Sequence, residues 1–186
     1  IVRPKWQKTM TMKNWSKGDD YAVSLVTSPA KEKGSVFLKR ENQVWNYIPS
    51  LERTIKLPPS MMTQSFMGTD LTNDDLVKQS SMVVDYTHKI LTQEEIRGIS
   101  CWKLELMPNE EATVVWGKLI VWIDKEDFMQ LKVEFYDEDE ELVNLMEGYN
   151  VKTFSGKKLP SKIEFIPLED QGNKTIIEYT KWEFDL

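Results

Sequence analysis

Along most of the chain apolar and polar residues alternate with a period of two, the pattern of a strand with one face buried and the other wet. In 128–137, Met129, Leu131, Val133 and Phe135 fall on one face, opposite Gln130, Lys132 and Glu134. In 100–107, Trp102, Leu104 and Leu106 alternate with Cys101, Lys103 and Glu105. The same reading makes 82–90 a strand with Met82, Val84, Tyr86, His88 and Ile90 on one apolar face. Turn residues at Pro29 to Gly34, Glu41 to Gln43, Asp137 to Glu141, Ser155 to Lys157 and Gln171 to Asn173 separate the runs at hairpin spacing. The count is on the order of ten or eleven strands, more than a flat sheet carries without curling, so a curved antiparallel sheet is expected.

Two stretches break the alternation. Leu119 to Ile123 is apolar on both faces, with Leu119, Val121 and Ile123 opposite Ile120 and Trp122, which predicts a central strand covered on both sides. Thr72 to Lys78 carries the one helix signal, because Thr72 can cap and Asp74 and Asp75 sit at the positive end of the helix dipole.

Composition narrows the possibilities. A chain of 186 residues has the size of one domain, taken here as 1–186. A formal charge of −6 repels phosphate backbones, so nucleic acid is not an expected partner. The longest apolar run, Leu119 to Ile123, is far short of the ~20 residues a membrane helix needs, so the chain is not expected to span a membrane.

Catalytic and metal chemistry find little to work with. His88 is the only histidine and Cys101 the only cysteine, and neither stands in a nucleophile, zinc or redox motif. Both are expected to be structural. The acidic run Asp137 to Glu141 lacks the glycine and ligand spacing of a calcium loop and reads as a solvated hairpin tip. No cofactor, no metal and no enzymatic activity are expected.

What the chain has in abundance is soft and aromatic apolar matter, 9 Met and 7 Trp. Met61, Met62, Phe66 and Met67 gather in 60–70, a loop between Pro58-Pro59 and the helix signal. Such a loop suits a lid that adapts to apolar ligands, or equally a plug packed over its own sheet. Val36 and Leu38 share a face of one strand, as do Trp45 and Tyr47 of the next, and either pair can line a concavity.

The segments Trp45-Asn46-Tyr47-Ile48-Pro49 and Ser65-Phe66-Met67-Gly68-Thr69-Asp70-Leu71-Thr72 resemble the outer-membrane lipoprotein-sorting protein family, relatives of the periplasmic lipoprotein carrier LolA. Lys33-Gly34-Ser35-Val36-Phe37-Leu38 resembles the family strand ahead of them. Cys101-Trp102-Lys103-Leu104-Glu105, Val121-Trp122-Ile123-Asp124 and Gly156 with Leu159-Pro160 follow in the family's order, so the resemblance covers most of the chain.

The resemblance implies a mainly β, half-open barrel with a short helical or loop lid and residence in the periplasm. It further implies an apolar cavity that shelters the acyl chains of a lipid or lipoprotein, with a membrane-bound release or acceptor protein as a further partner. The signal peptide and amphipathic helix with which family members begin are not found ahead of the first strands, and the covering helix is expected to be missing. The residues expected to line the cavity and its lid are Val36, Leu38, Trp45, Tyr47, Met61, Met62, Phe66, Met67 and Trp122. The rival reading is a β scaffold whose interior is filled by its own side chains and which binds a protein partner.

Overall fold

The computed structural model describes residues 1–184 apart from 19, 42, 63, 74, 76–80 and 113. The described chain is mainly β, with antiparallel sheets that do not close on themselves. It divides into two compact units, one formed by Lys5–Ser81 with Ile1, the other by Met82–Leu186 with Val2–Pro4.

The smaller unit is a five-stranded meander. After the two-residue strands β1 (Val2–Arg3) and β2 (Trp6–Gln7), the strands β3 (Thr11–Lys17), β4 (Tyr21–Ser28), β5 (Val36–Arg40), β6 (Gln43–Ile48) and β7 (Arg53–Lys56) pair in chain order. On one face Val26, Phe37 and Phe66 form a buried cluster with Met12 and Met67 packed against it. The loop containing Phe66 is therefore core to this unit.

A four-residue helix, α1 (Ser81–Val84), begins at the last residue of the smaller unit, and the larger unit continues with β8 (Tyr86–Ile96), β9 (Ile99–Pro108), β10 (Lys118–Asp124), β11 (Gln130–Tyr136), β12 (Leu142–Phe154), β13 (Lys157–Pro167) and β14 (Thr175–Glu178). These seven form a second meander in the order β14-β13-β12-β11-β10-β9-β8. Fourteen strands stand among the described residues, against the ten or eleven expected, because short pieces such as β1, β2, β7 and β14 carry too few residues to show a period.

β10 lies inside the sheet between β9 and β11, and five of its residues, Leu119, Ile120, Val121, Trp122 and Asp124, are buried. The expected central strand is found. One face of the sheet carries the cluster of Leu106, Leu119, Val121, Val133, Phe135 and Met146, covered by Met82, Val114 and Trp116. The other carries Cys101, Ile120, Trp122, Met129 and Leu131. Met129 and Leu131 thus part company with Val133 and Phe135, although alternation puts all four together. The cause is a bulge: Trp122 pairs with Lys132 but Ile123 pairs with Gln130, so Leu131 is an extra residue and the strand changes face there.

The expected strand 82–90 is corrected as well. Residues 81–84 are helical, Val83 and Val84 are exposed, and strand pairing begins at Tyr86. Beyond Tyr86 this edge strand is mostly exposed, so its alternation does not mark a buried face. His88 accordingly sits in solvent, its Nε2 2.7 Å from the Met82 carbonyl. Cys101 is fully buried, donates to the Ile99 carbonyl at 3.3 Å, and has its thiol pKa raised by burial and by Asp124. A structural part fits both residues.

Candidate functional site

Cross-strand register brings four of the nine candidate residues together. Val36 pairs with Tyr47 and Leu38 with Trp45. In an antiparallel pair, residues directly opposite project from the same side of the sheet, so the two candidate pairs form one patch. Across β4 the patch continues through Leu25, opposite Val36, and Val23, opposite Leu38. On β3 it reaches Trp15, opposite Val23. Nothing described seals this face: Trp15 is 51%, Tyr21 45% and Leu38 39% exposed, and Val36, Trp45 and Tyr47 are half-buried.

The lid residues go elsewhere. Phe66 is only 6% exposed and meets Phe37 edge to face at 4.7 Å between ring centroids. Phe37 alternates with Val36 and Leu38, so Phe66 and Met67 pack on the opposite face of the sheet from the open patch.

The motif Ser65 to Thr72 explains why this loop holds its form. Met67 and Gly68 both adopt positive φ, 53° and 82°, and the Thr69 amide closes the turn on the Phe66 carbonyl at 3.0 Å. Glycine takes that conformation without the Cβ penalty. The buried Thr69 hydroxyl donates to the Phe66 carbonyl at 2.7 Å, Ser65 Oγ donates to the Thr69 carbonyl, and the Phe66 amide meets the Leu71 carbonyl at 2.7 Å.

At the loop's exit Thr72 caps as expected. Its hydroxyl accepts from the Asp75 amide at 3.1 Å, while Asp75 Oδ2 accepts from the Thr72 amide at 2.7 Å. Asp74 and 76–78 of the expected helix lie outside the described residues. Asn73 donates to the Met61 carbonyl at 2.9 Å and ties the loop's two ends. Met61 is 38% exposed and Met62 half-buried, and neither belongs to the cluster around Phe66 that Met67 packs against.

Trp122 stands apart, in the larger unit and on the opposite sheet face from Val121. It is 3% exposed. Lys103 and Lys132 lie over its ring at 5.0 and 4.4 Å, and its Nε1 donates to Glu94 at 2.8 Å. The Lys103 ammonium and the indole lower the Glu94 pKa. The same face continues with Tyr136, hydrogen-bonded to Glu134, and Tyr149, hydrogen-bonded to Glu147. Burial, then Glu134, pushes the Tyr136 phenol up to about 12, and the bond to Glu147, then burial, does the same for Tyr149. Long basic side chains laid over aromatic rings cover this face, so Trp122 is enclosed by its neighbours.

Two open clefts exist in the larger unit, and neither includes a candidate residue. One of about 600 Å³ is lined by Asp85, Thr87, Asn109, Glu110 and Glu111, the other of about 340 Å³ by Asn150, Lys152, Ser161, Lys162 and Tyr179. Both are polar. Among the described residues no group of three His, Cys, Asp or Glu side chains could hold a metal ion, and no helix is long and apolar enough to cross a membrane.

Trp15, Tyr21, Val23 and Leu25 are members of the open patch that the sequence pattern did not single out. Register was the missing signal: the hairpin turns put β4 and β6 beside β5, but the alternation does not say which residues stand opposite one another.

A family model described as "Uncharacterized protein" matches residues 18–186, and the chain belongs to that family. No curated protein matches the sequence.

Solved structures with this fold include a DUF1329 family protein from Desulfovibrio piger, with a TM-score of 0.80 and 22% identity over 94% of this chain and 77% of that one. A LolA superfamily protein from Nitrosomonas europaea gives 0.76 and 23% over 96% and 79%. An outer membrane lipoprotein-sorting protein domain from Vibrio parahaemolyticus, described as putative, gives 0.72 and 22% over 94% and 79%. The fold is that of the LolA superfamily, as the sequence resemblance implied.

Proposed function

We propose that this protein is a non-catalytic carrier or sensor that binds the acyl chains of a lipid or lipoprotein in the periplasm, with residues 1–186 acting as one lipoprotein-sorting domain. The observation that carries the reading is the open apolar patch of Val36, Leu38, Trp45 and Tyr47 on a fold shared with LolA superfamily and lipoprotein-sorting proteins. Removing apolar area from water supplies the affinity, about 0.8 kcal/mol for each buried CH₂ group, and needs no specific polar contact. Met61 and Met62, flexible and reachable, are the loop side chains suited to an acyl ligand, whereas Phe66, Met67 and Trp122 hold the protein together.

Native mass spectrometry of gently purified protein, together with titration of a fluorescent fatty-acid probe in vesicle-free solution, tests the reading. Bound lipid mass and probe uptake are expected. Leu38→Ser with Trp45→Ser should cost roughly 2 kcal/mol of probe binding, about 30-fold in affinity. A ligand-free mass with no probe uptake by the folded protein sinks the carrier. The second reading, a scaffold that binds a protein partner, is favoured by the packing of Phe66 against Phe37 and of Trp116 against Phe135, where the protein fills its own interior.

A further inference from the structure

The charge of the chain is unevenly divided. Residues 5–81 hold 11 Lys and Arg against 8 Asp and Glu, a formal +3. The rest of the chain holds 13 against 22, a formal −9. Within the basic unit the face of the open apolar patch carries four of the eleven cations. Lys13 and Lys17 belong to its face on the outer strand β3, Arg40 at the end of β5, and Lys56 on the opposite outer strand β7. All four are exposed, and the Lys56 ammonium lies 5.6 Å from the Trp45 ring centroid, rimming the aromatic centre. No Asp or Glu occupies a paired position of this face. Among the described residues Lys13, Lys17 and Arg40 enter no ion pair.

We propose that this face docks on an anionic lipid bilayer surface, with Trp15, Tyr21, Leu38 and Trp45 entering the headgroup boundary and Lys13, Lys17, Arg40 and Lys56 contacting anionic headgroups. Trp and Tyr carry an apolar body and a polar tip and favour that boundary, while Lys and Arg lay their stems along apolar matter and hold their charge at headgroup level. Exposed charges act within about a Debye length, ~8 Å at physiological salt, so a face whose paired positions carry four cations and no acid attracts the surface even though the whole chain is negative and Asp20 and Glu41 stand at the adjoining turns. The acidic unit is repelled by the same surface, which favours encounters made through the basic one. Docking deepens the lipid-handling reading, because a carrier that exchanges acyl chains with a membrane must first meet it.

The test is co-sedimentation of the full chain with vesicles of equal parts phosphatidylglycerol and phosphatidylcholine, and with vesicles of phosphatidylcholine alone. Binding is expected to the anionic vesicles only, with a blue shift of tryptophan emission, and to be lost when salt is raised from ~0.05 M to ~0.5 M. Lys13→Gln with Lys56→Gln should weaken it about 30-fold. Trp15→Ser with Leu38→Ser should weaken it and remove the blue shift while the urea midpoint stays put.

Equal binding to both vesicle types, binding unaffected by these variants, or no binding by the folded wild type overturns the proposal. So does capture of polyglutamate without vesicle binding, which assigns the face to an acidic protein. The vesicle-free probe titration reports on acyl binding separately: probe uptake without sedimentation removes docking and leaves the carrier, and sedimentation without probe uptake does the reverse.

Discussion

β10 of the larger sheet and β5 of the smaller one both carry apolar side chains flanked by apolar neighbours, yet they meet different surroundings. Around β10 each face is closed from within the unit: Met82, Val114 and Trp116 cover one side, and lysine stems laid over Trp122 and Tyr136 cover the other. Around β5 one face is plugged by Phe66, and the other, with Leu38 and Trp45, is left open. Apolar content alone does not separate a core from a binding surface. What separates them is whether the chain supplies its own cover.

The largest expected effect follows from that contrast. Val121→Asp places a carboxylate among Leu119, Val133 and Phe135 with no partner, and should cost about 4 kcal/mol or more in urea unfolding. A near-neutral result would show that β10 is not enclosed and dissolve the comparison. Phe66→Ala comes next. It deletes a buried ring against Phe37 and should cost about 3 kcal/mol, whereas Met61→Ser with Met62→Ser should cost well under 1 kcal/mol. Equal costs would make the whole loop a plug and leave no part of it available to a ligand.

The polar face of the larger sheet is addressed by pH. Tyr136 and Tyr149 have pKa values raised to about 12 in the folded protein from 10.0. Their contribution to stability is therefore complete below pH 10 and is lost as pH rises through about 12, because the folded state holds the phenolic protons that the unfolded state releases. Both residues are partly exposed, so roughly 1 kcal/mol each is expected after solvent screening. Tyr136→Phe should flatten the alkaline limb of the stability profile, and an unchanged limb would show that neither burial nor the bond to Glu134 holds the phenolic proton in the folded state. The smallest effect is expected for Leu38→Ser alone, within about 0.5 kcal/mol of wild type in urea, since an exposed side chain loses little on truncation. A cost of 2 kcal/mol would mean that the patch is covered and has no ligand role.

Much of this architecture was legible in the alternation and the turn residues. β4 ends at Ser28, where the turn residues Pro29 to Gly34 begin, and the acidic tip Asp137 to Glu141 is a turn closed by Asp137, whose Oδ1 accepts from the amides of Asp139 and Glu141. Doubly apolar Leu119 to Ile123 read correctly as central. Less was legible where one residue changes the phase. The bulge at Leu131 costs no sequence signature, yet it moves Met129 and Leu131 to the other face of the sheet. Residues 82–84 kept a strand's alternation but form a helical turn.

For the candidate site, the sequence by itself determined the pairs: Val36 with Leu38, Trp45 with Tyr47, and the loop chemistry of Ser65, Gly68 and Thr69. Those are local facts, set by a two-residue period and by which residues tolerate positive φ. Only the tertiary structure decided that the two pairs form one patch, that Phe66 and Met67 lie on the sheet's other face, and that Trp122 is clamped by Lys103, Lys132 and Glu94 in another unit. Cover comes from residues distant in sequence, and even between hairpin neighbours such as β5 and β6 a two-residue period leaves open which residues stand opposite one another.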